Sequence, residues 1–153
     1  SGLFAWVLRC WECGRNESGY TTLTLRPATM DDAQFLFDVR NDEETSLQSF
    51  SSAPLNYDHH CQWLAIQYRL PNRIWIGEIA GEKVGYIRYL PSLPPEISYA
   101  VAPQWRGCGI GTALLALSPN GRGTTARVKG LNTASHRAFQ KAGWYVQEVV
   151  YVK

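Results

Sequence analysis

The stretch Val101-Ala102-Pro103-Gln104-Trp105-Arg106-Gly107-Cys108-Gly109-Ile110-Gly111 constrains this chain more than any other. It joins the end of a strand-like run to the start of a helical one. Glycines in such a turn let backbone N–H groups point outward together and approach a ligand with no Cβ in the way. The helix beginning there adds partial positive charge at its N-terminus, so the turn suits a phosphate or pyrophosphate. A Walker loop does not fit, because no Lys sits at the required place. A dinucleotide fingerprint does not fit either, because the spacing is GxGxG and falls late in the chain. A third pattern, Arg/Gln-x-x-Gly-x-Gly/Ala, is satisfied by Arg106, Gly109 and Gly111. Alone, the turn fits a plain strand-to-helix joint equally well.

The surrounding elements decide its meaning. Thr22 to Arg26 is a short β-rich run closed by Pro27. Thr29 and Asp32 have capping-box spacing, and Phe35, Leu36 and Val39 give the face of a helix running to Asn41. After a loop rich in Ser, Pro and Asn, Asn56 caps a second helix over about Tyr57 to Tyr68. Ile74 to Ile79 and Val84 to Tyr89 form a hairpin around Ala80-Gly81-Glu82-Lys83. Glu96 to Ala102 is a strand, Gly109 to Leu117 a helix, Thr124 to Val128 a strand, and Thr133 to Ala142 a helix behind Asn132. Trp144 to Val152 is the last expected strand. The expected order is therefore β-α-α-β-β-β-α-β-α-β, an α/β fold with a mixed, mainly antiparallel sheet. Residues 1–21 carry no continuing period and end in a polar stretch, Arg15 to Gly19. They read as an extension or linker remnant before a domain at 22–153.

Composition narrows the function. A chain of 153 residues suits one domain. Its 45% apolar and 18% charged residues are ordinary for a soluble globular protein. A net charge of +2 without a Lys/Arg cluster argues against a nucleic-acid partner. The apolar run Leu3 to Leu8 is too short to span a bilayer and has no signal-peptide flanks. Cys10 and Cys13 form a lone CxxC, with Cys61 and Cys108 elsewhere. Without a second pair or a nearby His, no metal site is expected, and the four cysteines read as reduced thiols of a cytoplasmic protein.

The turn, the preceding strand from Glu96, and the downstream Asn132-Thr133-Ala134-Ser135, Gly143 and Trp144 together resemble the GNAT acetyltransferase superfamily. The resemblance spans about Leu23 to Tyr151 and implies an acetyl-CoA-dependent N-acetyltransferase acting on a primary amine. By that similarity, backbone groups from Tyr99 to Val101 pair with the pantetheine arm. The amides of Arg106, Gly107, Cys108, Gly109, Ile110 and Gly111 hold the pyrophosphate. Asn132 and Ser135 match further coenzyme contacts, though Asn132 also fits a helix N-cap and Ser135 a solvent-facing position. Glu96 matches a general base, and also fits an ordinary strand-end carboxylate. Two departures stand out. Phe139 occupies the place where relatives carry a proton-donating Tyr, which leaves Tyr145, Tyr99 or water. Ser118-Pro119 also cuts the helix after the turn short.

The acceptor is read from the first two helices. Arg40-Asn41-Asp42, then Ser49 or Ser51, and His60-Cys61-Gln62-Trp63, with Glu96-Ile97-Ser98-Tyr99, resemble GNAT enzymes that acetylate nucleotide-linked amino sugars. Arg40, Asn41 and Arg88 are the expected acceptor contacts, and Trp63, Tyr89 and Tyr99 the aromatic walls. Arg40 and Asn41 equally fit a helix C-terminus, and His60 a first-turn helix residue. The alternatives are acetylation of a protein or peptide N-terminus, or a non-catalytic coenzyme-binding module.

Overall fold

The structure, a computed structural model, describes residues 5–9, 20–50, 53–70, 73–119 and 122–153. Its elements are β1 (Ala5–Arg9), β2 (Tyr20–Pro27), α1 (Ala33–Asn41), α2 (Glu43–Gln48), α3 (Tyr57–Tyr68), β3 (Ile74–Ile79), β4 (Glu82–Leu90), β5 (Glu96–Val101), α4 (Ile110–Leu117) and α5 (Thr133–Lys141). Short 3-10 turns at Met30–Asp32 and Pro103–Trp105 lead into α1 and toward α4. The strands form one sheet in the order β1-β2-β3-β4-β5, with every neighbour antiparallel.

The α/β class and the mainly antiparallel sheet stand, but the expected element order needs four corrections. Ala5–Arg9, where no strand was expected, forms edge strand β1, whose Ala5 pairs with Thr24. Trp6 and Val7, on opposite faces of the strand, are both exposed, so neither marks a core-facing period in the sequence. A short helix, α2, replaces part of the expected loop. Thr124 to Val128 is not a strand; its backbone meets the sheet at a parallel bridge between Glu96 and Thr125. Trp144 to Val152 forms no strand, and Tyr145, Val149, Val150 and Tyr151 are exposed there. Strand propensity depends on context, and here it is not realised as a pairing with the sheet. Ser51, Cys10, Cys13 and the linker-like Arg15 to Gly19 lie outside the described residues.

Alternation along the strands sorts the two faces. Ile74 and Ile76 stand opposite Arg88 and Tyr86, and pack toward Leu36 of α1 and Leu64 of α3. The other face carries Gly77 opposite Gly85. A Cβ on Gly77 would lie 2.7 Å from Leu114, and one on Gly85 only 2.6 Å from the carbonyl of Ala100. The paired glycines thus let α4 sit close on the sheet through Leu114. α4 is largely buried (Ile110, Ala113, Leu114, Leu115, Leu117), so its place is fixed by core packing.

Candidate active site

The glycine turn folds as its composition demands. Gly107 and Gly109 have φ of 74° and 77°, the left-handed region that glycine enters without a steric penalty. Gly109 is the N-cap residue of α4, and no side chain caps it. The first-turn amides of α4 therefore keep their hydrogen-bonding capacity for a ligand. Ile110 is buried, so only its backbone faces the turn's opening. Gly111 lies against the ring of Tyr99, where a Cβ would come within 2.8 Å of Cε2.

Beside this turn runs the open edge of the sheet. The amide of Ala102 donates to the carbonyl of Val84 at 2.8 Å. In an antiparallel pair the inward-bonding residues alternate, so Ala100 and Ser98 also face β4 while Ile97, Tyr99 and Val101 face outward. Ile97 shows the alternation directly, donating outward to Thr125 O at 2.8 Å. Among the described residues, no backbone group pairs with Tyr99 or Val101 on that outer side. An unpaired edge with two outward residues thus leads into the amides of the turn.

The two faces of β5 serve different purposes. On the α4 side, the Tyr99 hydroxyl donates to Ser135 Oγ at 3.1 Å, and its ring meets Phe139 edge-on with centroids 5.7 Å apart. Burial raises the Tyr99 phenol above its ordinary range, against the opposing bond to Ser135, so it stays protonated. On the other face, Glu96 is two residues before Ser98, which pairs with Arg88. Glu96 accepts from Arg127 Nε at 3.0 Å. Arg88 lies 4.8 Å over the ring of Trp63. Arg40 is close enough for its charge to act on both Arg88 and Tyr86.

A family model for the acetyltransferase (GNAT) domain matches residues 71–146. A ribosomal-protein-alanine N-acetyltransferase from Brucella melitensis is 30% identical, over 78% of this chain and 82% of that one, with a TM-score of 0.67. The chain belongs to the GNAT acetyltransferase family. Two further structures share the fold at lower identity. A GNAT phosphinothricin acetyltransferase from Sinorhizobium meliloti, in complex with acetyl-CoA, is 20% identical over 82% of this chain and 76% of that one, with a TM-score of 0.69. AAC(6')-Ib with ribostamycin and coenzyme A is 19% identical over 84% and 86%, also at 0.69. No curated protein matches the chain by sequence. This GNAT domain is accordingly an acetyl-CoA-dependent N-acetyltransferase.

Several expected site residues take on sharper roles in this GNAT fold. Asn132 is the N-cap of α5, its side chain accepting from the Ser135 amide at 3.1 Å. Ser135 is not solvent-facing; it is buried and receives the Tyr99 hydroxyl. Asn41 spends its amide on the backbone of Leu55, accepting at 2.9 Å and donating at 3.4 Å, which pins the loop before α3. His60 is a core residue, its Nε2 3.2 Å from Ala33 O, and burial lowers its pKa. Tyr145 is exposed on the C-terminal segment. The expectation of reduced thiols is corrected at Cys108, which is disulfide-bonded, while Cys61 is a free thiol. No described helix is long and apolar enough to cross a membrane.

Sequence reasoning missed α2 and its partner. Arg106 Nη2 contacts Asp42 Oδ2 at 2.5 Å and Thr45 Oγ1 at 3.1 Å, and Nη1 reaches Glu44 at 3.0 Å. Asp42 also caps α2 by accepting from the Thr45 amide. Burial opposes ionisation of Asp42, but the bond from Arg106 and the backbone amides lower its pKa overall. The only signal in the sequence was Asp42-Glu43-Glu44 at a helix start, which favours the dipole.

Proposed function

We propose that this enzyme transfers the acetyl group of acetyl-CoA to the primary amine of a nucleotide-linked amino sugar. The observation that carries the coenzyme half is the open β5 edge running into the uncapped start of α4. An extended pantetheine arm can pair with the outward groups of Tyr99 and Val101 as an added strand. The amides from Arg106 to Gly111 suit the pyrophosphate. The Arg106 guanidinium is engaged by Asp42 and Glu44, so the backbone supplies this contact.

Chemically, the amine nitrogen attacks the thioester carbon and the C–S bond breaks. The amine's proton passes to Glu96, directly or through water. The outward N–H of Val101 stabilises the oxyanion. The departing thiolate takes its proton from water or from Tyr99, since Phe139 has none to give. A free thiol has a pKa of about 8.5, so this help is useful without being mandatory.

The acceptor half is supported by Arg88 and Arg40 on the Glu96 face, beside Trp63, where phosphates and a sugar face find cations and an aromatic wall. A second reading, acetylation of a protein N-terminus, is favoured by the similarity to the ribosomal-protein-alanine N-acetyltransferase. A panel containing a UDP-amino sugar and a peptide with a free N-terminus separates the two. Acetylation of the peptide alone would overturn the sugar assignment.

The coenzyme half predicts a thermal shift. At a hundredfold excess over Kd, acetyl-CoA stabilises the fold by about 2.7 kcal/mol, or roughly 5–10 °C in Tm. Gly109→Val should abolish that shift, because its φ of 77° is closed to a β-branched residue and the amides would move. An undiminished shift in the variant would reduce the turn to a structural joint.

A further inference from the structure

We infer that Arg106 is, through its side chain, a positioning residue: it fastens α2 to the coenzyme turn, so that bound coenzyme orders a strap, residues 42–50, against which the acceptor is seated. This inference rests on the coenzyme lying in the turn, but not on the acceptor being a nucleotide sugar.

The strap joins two arms of the fold. β5 and the segment from Thr124 to Val128 meet at the Glu96–Thr125 bridge and run parallel from it. Arg106 stands beyond the end of the first arm, and Arg127 and Lys129 stand at the end of the second. All three reach the strap. Arg106 holds Asp42, Glu44 and Thr45. Lys129 Nζ donates to Leu47 O at 2.5 Å, and Arg127 lies 4.8 Å over the ring of Phe50. Arg127 also donates to Glu96, so the far end of the strap is one side chain away from the proposed base. An amine that approaches Glu96 on this face passes beside residues 42–50.

The core does not hold the strap. α2 is six residues long and none of them is buried. Its contacts are polar and partly exposed, so each contributes modestly. Such a segment opens at low free energy, and small changes in its partners shift its order. The partner on the coenzyme side is itself only partly fixed. Trp105 is buried, but Gly107 follows Arg106 directly at a φ of 74°. A pyrophosphate held by the turn's amides fixes that backbone, and with it the root of the Arg106 side chain. The guanidinium then presents a fixed fork to Asp42 and Glu44, with part of the ordering entropy already spent. Two carboxylates and a hydroxyl keep it on α2, and Asp42 is also held by the Thr45 amide.

Amide hydrogen exchange with coenzyme A as the probe tests the link. In the wild type, coenzyme A should slow exchange in the turn and also across residues 43–50, the latter about fivefold or more. Asp42→Asn keeps an N-cap for α2 but removes the charge that Arg106 holds. There the turn should still be protected while the effect at 43–50 is lost. Arg106→Gln should lose it too, and Arg106→Lys, which keeps a cation, should retain part. A contact that merely braced α2 would alter its exchange equally with and without coenzyme A. The inference is overturned if 43–50 show no slowing in the wild type, or a slowing that survives Asp42→Asn. Faster exchange there also overturns it, since the pyrophosphate would then have drawn Arg106 off α2. A turn left unprotected in the wild type would instead strike the coenzyme reading.

Kinetics supply the second arm. With the acceptor that is turned over, the UDP-amino sugar or the peptide, Asp42→Asn should raise the acceptor's KM about fivefold or more and leave kcat nearly unchanged. An unchanged KM would overturn the seating role of the strap while the acetyltransferase reading stands.

Discussion

Replacing Glu96 with Gln is expected to lower kcat by about 10²–10⁴-fold, the contribution of a general base, while the acetyl-CoA thermal shift persists. The expectation follows from where the side chain stands. Glu96 opens β5, at the point where the edge strand leaves its bridge to Thr125 and becomes unpaired. It shares the acceptor face with Arg88, and the outward amides of Tyr99 and Val101 follow within five residues. Gln keeps the shape and still accepts from Arg127, so geometry is preserved and only proton acceptance is lost. Arg127 is itself mostly exposed and lies 4.8 Å over the ring of Phe50, so the ion pair is a surface contact that an incoming amine can displace. The wild-type rate should also rise with pH as the acceptor amine loses its proton. A loss of about tenfold or less in Glu96→Gln would point to positioning, or to deprotonation by water alone.

What was legible in the sequence is what local physics determines. The α3 helix has its expected limits because Asn56 caps it, accepting from the His59 amide at 3.2 Å. The β3–β4 hairpin has its expected place because apolar residues alternate on both sides of Ala80-Gly81, whose positive φ values make the turn. The glycine turn was legible because positive φ leaves few residues to choose from. Where tertiary contacts decide, the sequence was silent. The α2 helix buries no residue and so has no apolar stripe; the bonds from Arg106, 61 to 64 residues away, hold it in place. Trp144 to Val152 shows the reverse failure, with strand-forming residues that join no strand of the sheet.

The site shows the same division. Residue types announced the candidates, but pairing revealed their roles. Ser135 reads as a surface residue until Tyr99 is placed against it. Asn41 reads as an acceptor contact until its amide is found on Leu55. Arg88 and Arg40 are 48 positions apart, and only the packing of α1 on β4 puts them in one field.

That packing depends on one buried carboxylate, so Asp32→Asn should be the most destabilising conservative change, by about 3 kcal/mol. Asp32 is fully buried at the entry to α1. It accepts from Arg26 Nη1 and Nη2 at 2.8 Å each, from Lys83 Nζ at 2.8 Å, and from the Thr29 amide at 2.7 Å. Arg26 also pairs with Glu78, so the cluster ties β2, β3 and β4 to the start of α1. Burial opposes the charge on Asp32, but the bonds from Arg26, Lys83 and Thr29 prevail and hold its carboxyl well below the usual range. Asn would leave two cations facing a neutral amide. Arg26 and Lys83 are each about a third exposed, at 36% and 32%, so both can turn toward water and keep the cost at the lower end for a broken buried pair. The pH dependence follows from the depressed carboxyl. Its stabilisation is fully present well above the unfolded value of about 3.9 and is lost as pH falls below it through the folded value. Urea unfolding should therefore show the full deficit of Asp32→Asn at pH 7 and a shrinking one below about pH 4. A deficit under 1 kcal/mol at pH 7, or one that stays constant into acid, would mean that the strands and α1 are held by apolar packing alone.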